Sequence, residues 1–390
     1  MRPLHFCWAL GFLSLCLACN QPVENQFVEF VLNDSTRAVF PIQRELDSWQ
    51  IQNGAEVLVL ERVNDTVYRV PVFGGSMATG EAQLNQGVWT DSLRPEKNGY
   101  PYQVPFEITT RTTRSESAAI EGTWDVWFGE GDENDVATSQ LDLTSTEAGV
   151  QGTIRTPTGD YRYLSGTFLE GVLTMQTFDG AHLYCITGIW EDGNWTLGSF
   201  YSGNHYRVSW QGKKADPWSK KDSIRMLSVP LDSLFVRVVD PGGAPVEVSL
   251  VPDGEMPLVV DILGSWCPNC MDEVRLLKEV VRPNGNQMLS VAFERPDSPL
   301  NAYERIQSFQ SEMQMDWVIY LGGKANKQVA ADAFPFLDQV ISFPTTLFVH
   351  RDGTVYVHSG FNGPATGTLY EQEVAVFKRY LAPLTSLENH

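Results

Sequence analysis

Cysteine is scarce in this chain: there are six in 390 residues. That is too few for a scaffold stapled by disulfides. Basic residues are in deficit, with 28 Lys and Arg against 48 Asp and Glu and a formal charge of −20. A nucleic-acid partner needs a basic footprint, so none is expected. A long apolar run is missing too. The apolar stretch at 4–18 falls short of the ~20 residues that a membrane span requires. Charged residues are only 19% and hydrophobic residues 43%, which does not describe a disordered chain. What remains is a chain able to build real cores. At ~150 residues per domain, its length predicts two or three of them.

Arg2 is the only charge among the first 22 residues, and the apolar stretch behind it ends in Leu17-Ala18-Cys19. A basic start, a short apolar run and small residues before a polar break make an export signal. The end of that run resembles a bacterial lipobox, although Cys16 stands where Leu is usual. Residues 1–19 are therefore expected to be a signal of lipoprotein type, with Cys19 lipidated. The mature chain would be exported, periplasmic and lipid-anchored to a membrane. Cys7 and Cys16 would leave with the signal. Cys185, Cys267 and Cys270 would remain for chemistry.

From about residue 28 to 212 the sequence reads as short β-branched or aromatic strands. Examples are Tyr161-Arg162-Tyr163-Leu164 and the runs 56–61, 66–72, 172–177 and 205–210. Gly turns such as Asn53-Gly54, Asp179-Gly180 and Asp192-Gly193 separate them. Many short strands with Gly turns predict an all-β barrel or sandwich. An internal echo suggests duplication. Phe73, Gly87-Val88-Trp89 and Tyr102 are answered by Phe178, Gly198-Ser199-Phe200 and Tyr206. We read one β-rich unit at 20–115 and a second at 116–212, either two related units or two halves of one larger barrel. A basic, Pro-containing linker at 213–223 follows, with Lys213, Lys214, Pro217, Lys220 and Lys221. The tryptophans Trp89, Trp124, Trp127, Trp190, Trp195 and Trp210 read mainly as core, with a ligand cavity as the alternative. Asp132, Glu133 and Asp135 read as a solvated turn, since an EF-hand spacing is absent. Cys185 lies in a strand-like run and reads as a buried structural thiol.

After residue 224 the grammar changes to alternating strands and helices. A hairpin is expected at 235–239 and 245–249. The near-continuous apolar run 257–263 reads as a buried central strand. Gly264-Ser265-Trp266-Cys267-Pro268-Asn269-Cys270 follows, and then a helix over 271–281. Further strands are expected at 288–293, 317–321, 347–350 and 354–358, with helices at 300–313, 327–333 and 369–381. Ser342-Phe343-Pro344-Thr345-Thr346 precedes the last hairpin. Together these elements resemble the exported TlpA/ResA-like branch of thiol–disulfide oxidoreductases, over about 224–384. The resemblance rests on Trp-Cys-x-x-Cys at a helix start, Phe-Pro-Thr-Thr before a hairpin, and a Gly-rich turn at 360–367 before a terminal helix. It implies a C-terminal α/β thioredoxin-like domain at 224–390.

A Cys at a helix N-terminus faces unpaired N–H groups and the positive end of the helix dipole, so Cys267 is the expected nucleophile. Cys270, one turn deeper, would resolve the mixed disulfide. No cofactor beyond this dithiol is expected. Asp261 on the buried strand and Glu273 three residues after Cys270 are the candidate acids. The resemblance supplies both, and helical spacing puts Glu273 on the face of Cys270. In the family the loop proline matching Pro344 is cis. Trp266, Phe343, Pro344 and Thr345 are expected to form the substrate groove. The implied partners are a protein or peptide disulfide and an upstream electron donor. The implied activity is reduction of periplasmic disulfides, with cytochrome c maturation as one setting. A zinc centre needs four ligands, and no second Cys or His pair stands at ligand spacing. A competing reading makes the β region a ligand- or partner-binding lipoprotein module, with the thioredoxin fold a scaffold or redox sensor.

Overall fold

The computed structural model describes residues 25–94, 100–111, 118–129, 137–217, 224–296 and 298–383. The export signal, Cys19, the acidic turn at 132–135 and Lys220-Lys221 lie outside the described residues.

The first body is a closed barrel of eight strands, from Asn25–Val31 to Tyr102–Arg111. Each strand pairs with its sequence neighbour, and the first pairs back on the last, with Phe27 opposite Thr109. Alternation builds it: Val104, Phe106 and Ile108 are buried, while Gln103, Pro105 and Glu107 face out. Phe30, Phe40, Trp49, Trp89 and Phe106 pack in one cluster.

The second body runs from Gly122–Phe128 to Tyr206–Ala215. Its ladder also closes, because Gly122–Phe128 pairs with both Ser139–Thr146 and Tyr206–Ala215. The ladder continues through Gly149–Thr156, which pairs with Ser139–Thr146. The two-residue strand Gly159–Asp160 hangs on its rim. Trp124, Trp195, Trp210 and Phe168 form its core, with Trp190 packed alongside. Trp89, Trp124, Trp195 and Trp210 therefore fill barrels, whereas Trp127 falls on the face of its strand opposite Trp124 and Val126.

The sequence echo has a topological meaning. Tyr102 and Tyr206 each open the last strand of a barrel. Trp89 and Phe200 lie on the strand before it. Phe178 ends the strand Val172–Phe178 and inserts into the other barrel, its ring 4.8 Å from Phe30 and 5.1 Å from Trp89. Asn53 secures the junction: its side-chain oxygen accepts from Phe178 N (2.9 Å) and Thr177 Oγ1 (3.1 Å). Cys185 is buried at the same junction, and burial pushes its thiol up to about 12.

Two expectations need correction. Residues 161–163 are not a strand, because Arg162 adopts φ 56° and turns the chain inward; only Leu164 begins one. Lys213 and Lys214 belong to the strand Tyr206–Ala215, where their backbones pair with Asp125 and Trp124. The expected linker thus begins inside the second barrel.

The C-terminal body is an α/β sheet with the thioredoxin-like arrangement. Leu258–Leu263 is central and fully buried. It is parallel to Met288–Glu294, which is parallel to Val318–Lys324. On its other side lie Thr345–Val349 and Thr354–Ser359, both antiparallel to their neighbours. Ile224–Ser228 closes one edge, and the expected hairpin Phe235–Val239 and Pro245–Ser249 closes the other. The helices are α1 (Pro268–Val280), α2 (Pro299–Glu312), α3 (Lys327–Ala333) and α4 (Thr368–Tyr380). Strand alternation puts Val259 and Leu263 against α1, α2 and α4, and Val260 and Ile262 against α3. Helix α1 starts three residues earlier than its apolar period suggests, because Cys267 caps it and Pro268 fills its first position. No helix among the described residues is long and apolar enough to cross a membrane.

Both barrels dock on the α1 side of this sheet. Phe73 and Leu93 of the first and Ala181 of the second lie in the same apolar cluster as Cys270, Val274 and Leu277.

Candidate active site

Cys267 and Cys270 form a disulfide, with Cα atoms 5.2 Å apart. Cys267 is extended (φ −107°, ψ 110°), and its Sγ accepts from the backbone N–H of Cys270 at 3.2 Å. Cys267 is only 6% exposed and Cys270 is fully buried. The strand-to-helix turn that presents them is braced from behind. Ser265 donates its N–H (2.8 Å) and hydroxyl (2.7 Å) to the Glu294 carboxylate, and Trp266 Nε1 donates to Phe293 O (2.8 Å). Burial raises the pKa of Glu294.

The loop Ser342-Phe343-Pro344-Thr345 faces the disulfide, with a cis bond between Phe343 and Pro344. The Phe343 carbonyl oxygen is 3.6 Å from Cys267 Sγ, and its ring meets Trp266 edge-on at 5.6 Å. Pro344 O accepts from Gly360 N and from Ser342 Oγ, both at 3.0 Å. Thr345 is buried, and its hydroxyl donates to Ser342 O at 2.9 Å. Trp266 and Phe343 therefore line the space over Cys267, whereas Thr345 holds the loop from inside.

Neither candidate acid lines that space. Both are fully buried beneath it. Asp261 sits in register with Ser290 on one neighbouring strand and Thr346 on the other, and Thr346 is in register with His358. These four adjacent positions put a polar row under α1. Ser290 Oγ donates to Asp261 Oδ2 (3.0 Å) and itself accepts from Trp317 Nε1 (2.8 Å). The Thr346 hydroxyl donates to Glu273. His358 Nε2 lies 2.9 Å from Glu373 Oε2, and the other oxygen of Glu373 accepts from Asn362 N (3.1 Å) and Nδ2 (2.9 Å). Burial pushes the Asp261 carboxyl up to about 7, against the opposing pull of the Ser290 hydroxyl. Sequence reasoning did not single out Ser290, His358 or Glu373 for this row. A cross-strand row becomes visible only once the register is known.

The second barrel supplies the far wall. A cavity of about 210 Å³ opens over Cys267 and is lined by Trp266, Asn269 and Phe343 on one side. Tyr161, His182 and Tyr184 are among the residues opposite. A neighbouring cavity of about 210 Å³ shares Trp266 and His182 and ends at Arg94 and Arg295. The Arg295 guanidinium stacks 4.7 Å over the Trp266 ring.

Arg162 pins this wall in place. It is 2% exposed and grips Asp272 of α1 with two bonds, Nε to Oδ2 at 2.7 Å and Nη2 to Oδ1 at 3.0 Å. Its Nη2 also donates to Glu56 of the first barrel at 3.0 Å, and Arg275 bridges Glu56 (3.1 Å) and Asp272 (2.9 Å). A two-bond guanidinium–carboxylate pair fixes orientation as well as distance. Beside it, Asp160 Oδ1 accepts from Gly363 N at 2.7 Å. Gly159 pairs with Phe361 in a parallel bridge, and a Cβ there would lie 2.2 Å from Asn269 Nδ2, so a side chain has no room. Burial raises Asp160 to about 6, with the Gly363 N–H opposing. For Asp179, burial works upward, but His182 and Arg162 outweigh it and hold the carboxyl at about 2.

No family model and no curated protein matches the chain. Solved structures do. A secreted disulfide oxidoreductase of Mycobacterium tuberculosis, homologous to E. coli DsbE, is 22% identical, with 37% of this chain and 98% of that chain covered and a TM-score of 0.27. A thio-disulfide isomerase of Thermus thermophilus is 21% identical, with 39% and 95% covered and a TM-score of 0.26. The thioredoxin domain of a Bacteroides vulgatus thiol-disulfide oxidoreductase is 17% identical, with 38% and 98% covered and a TM-score of 0.26.

Proposed function

We propose that this chain is an exported thiol–disulfide oxidoreductase working in the reducing direction, tethered to a membrane through a lipid on Cys19. The observation that carries the reading is the Cys267–Cys270 disulfide at the start of α1, with the outer sulfur against the Phe343–Pro344 loop. After reduction, the N–H of Cys270 and the helix dipole favour a thiolate at Cys267. That thiolate attacks a substrate disulfide. Cys270 then attacks Cys267, closes the internal disulfide and frees the reduced substrate. Asp261, with its raised pKa, takes up the proton that the resolving thiol loses. An upstream dithiol donor resets the pair, and maturation of c-type cytochromes is one setting that would use it. Asn269 between the cysteines adds no positive charge, which favours a reductase.

Equilibration of the purified chain in glutathione buffers, with thiols trapped and counted by mass, tests this. The expected result is a two-electron transition closer to the ~−270 mV of thioredoxin than to the ~−120 mV of a strong oxidant, and its loss in Cys267→Ser. A transition near the oxidant end would reverse the direction. A pair that never opens would remove the activity.

A further inference from the structure

The second barrel has no part in the exchange chemistry, yet it walls the nucleophile. We propose that it makes the site a size-selecting chamber, so that the substrate is a low-molecular-weight disulfide rather than a disulfide carried on a folded protein. This rests on the oxidoreductase reading and sets a small substrate in place of the polypeptide that cytochrome c maturation would present.

Cys267 is 6% exposed, and the space over it is about 210 Å³. Together with the neighbouring cavity of about 210 Å³ that shares Trp266 and His182, it makes a cleft within the ~300–1,000 Å³ of small-molecule sites. With the second barrel as its far wall, the cleft admits a small disulfide more readily than one held on the surface of a folded protein. Three attachments keep the wall standing. Arg162 grips Asp272, two residues beyond Cys270. Asp160 accepts from Gly363 N, and Gly159 pairs with Phe361, on the loop that precedes α4. Each contact joins the second barrel to a segment that frames the dithiol. The second cavity beyond Trp266 and His182 offers room for the other arm of a small disulfide.

The chemistry balances. The Cys267 thiolate attacks one sulfur of R–S–S–R, forming Cys267–S–S–R as the first R–S⁻ leaves. Cys270 attacks Cys267 Sγ, the internal disulfide re-forms, and the second R–S⁻ leaves. Two electrons pass from the dithiol to the substrate; the proton lost by Cys270 passes by way of Asp261, and the proton that Cys267 gave to solvent on ionising returns from it, to the two released thiolates. A small dithiol, dithiothreitol in the assay, restores the reduced enzyme.

Two experiments on the full chain test the proposal. In the first, reduced protein is treated with N-ethylmaleimide, or with a maleimide mounted on a folded carrier by a short linker. Adducts are mapped to Cys267, and rates are normalised to the urea-unfolded chain. The carrier-bound reagent is expected to react at least about a hundredfold more slowly, because access limits a thiol that is otherwise reactive. Equal normalised rates would overturn the chamber and leave the redox reading intact. In the second, dithiothreitol-driven turnover of oxidised glutathione is compared with that of insulin. The wild type is expected to favour glutathione by at least about tenfold in kcat/KM, and Arg162→Met with Asp272→Asn to narrow that ratio about tenfold. The double change removes both charges of the pair, while Glu56 keeps Arg275 and Asp179 keeps His182 as partners. A wild type that prefers insulin overturns the substrate class. A wild type that turns over neither overturns the oxidoreductase reading and the substrate together. If the double variant does not fold, the alkylation contrast in the wild type decides.

Discussion

Asp261 shows what a single buried carboxyl imposes. Its folded value of about 7 lies above its ordinary 3.8, so the folded chain holds a proton that the unfolded chain has released. Stability contributed by this group therefore falls as pH rises from about 3.8 to 7, and Asp160, at about 6, acts in the same direction. Asp179 has the opposite sign: held at about 2, it stabilises above pH 3.8 and that share fades as pH falls toward 2. Asp261→Asn should be more stable than the wild type at pH 8, by a kcal/mol or more at ~1.4 kcal/mol per pKa unit, and nearly equal at pH 4. Urea unfolding at the two pH values measures this, and a variant less stable at pH 8 contradicts it. The same variant should turn over more slowly at neutral pH and lose the inflection near 7. An unchanged pH–rate profile would take Asp261 out of the mechanism. Asp261 was legible because the resemblance implies an acid on the buried strand, six residues before Cys267. Arg162 was not. Its partner lies 110 residues away, and Tyr161-Arg162-Tyr163 imitates the alternation of a strand.

At the scale of elements, the C-terminal segments were read within a few residues, because each carries its own period and its own end signals. The hairpin Phe235–Val239 and Pro245–Ser249 was read to the residue. Helix α1 was read late, since its first turn is the Cys-x-x-Cys segment and contributes no apolar period. In the β region the strands were legible, but barrel closure was not, because the pairing of a first strand with a last leaves no local mark. The echo between the two halves was the usable signal: two of its three marker pairs fall on equivalent strands, while Phe73 lies in a turn and Phe178 ends a strand. One of its markers, Phe178, is fully buried and bridges the two barrels. Phe178→Ala should cost about 3–5 kcal/mol, the usual range for emptying a large aromatic site. A loss below about 1 kcal/mol in urea unfolding would show that the barrels do not depend on the shared core.

At the scale of the molecule, three bodies meet at one helix. The first barrel reaches α1 through Glu56, which accepts from Arg275, and the second through Arg162; Phe73, Leu93 and Ala181 join the apolar cluster to which α1 belongs, and the Cys267–Cys270 disulfide lies at the N-terminus of that helix. The disulfide thus lies where the domains join, which is where small-molecule sites commonly form. Composition spoke to none of this: the −20 charge and the six cysteines excluded classes of protein but could not say which two cysteines face each other. Cycling of Cys267 and Cys270 between dithiol and disulfide is measured by thiol trapping across a series of glutathione buffers. Both thiols are expected to appear together in one two-electron step at a potential near that of thioredoxin, and Cys267→Ser to abolish the step. Cysteines that stay paired across the whole series, or that open one at a time without coupling, would contradict the cycling.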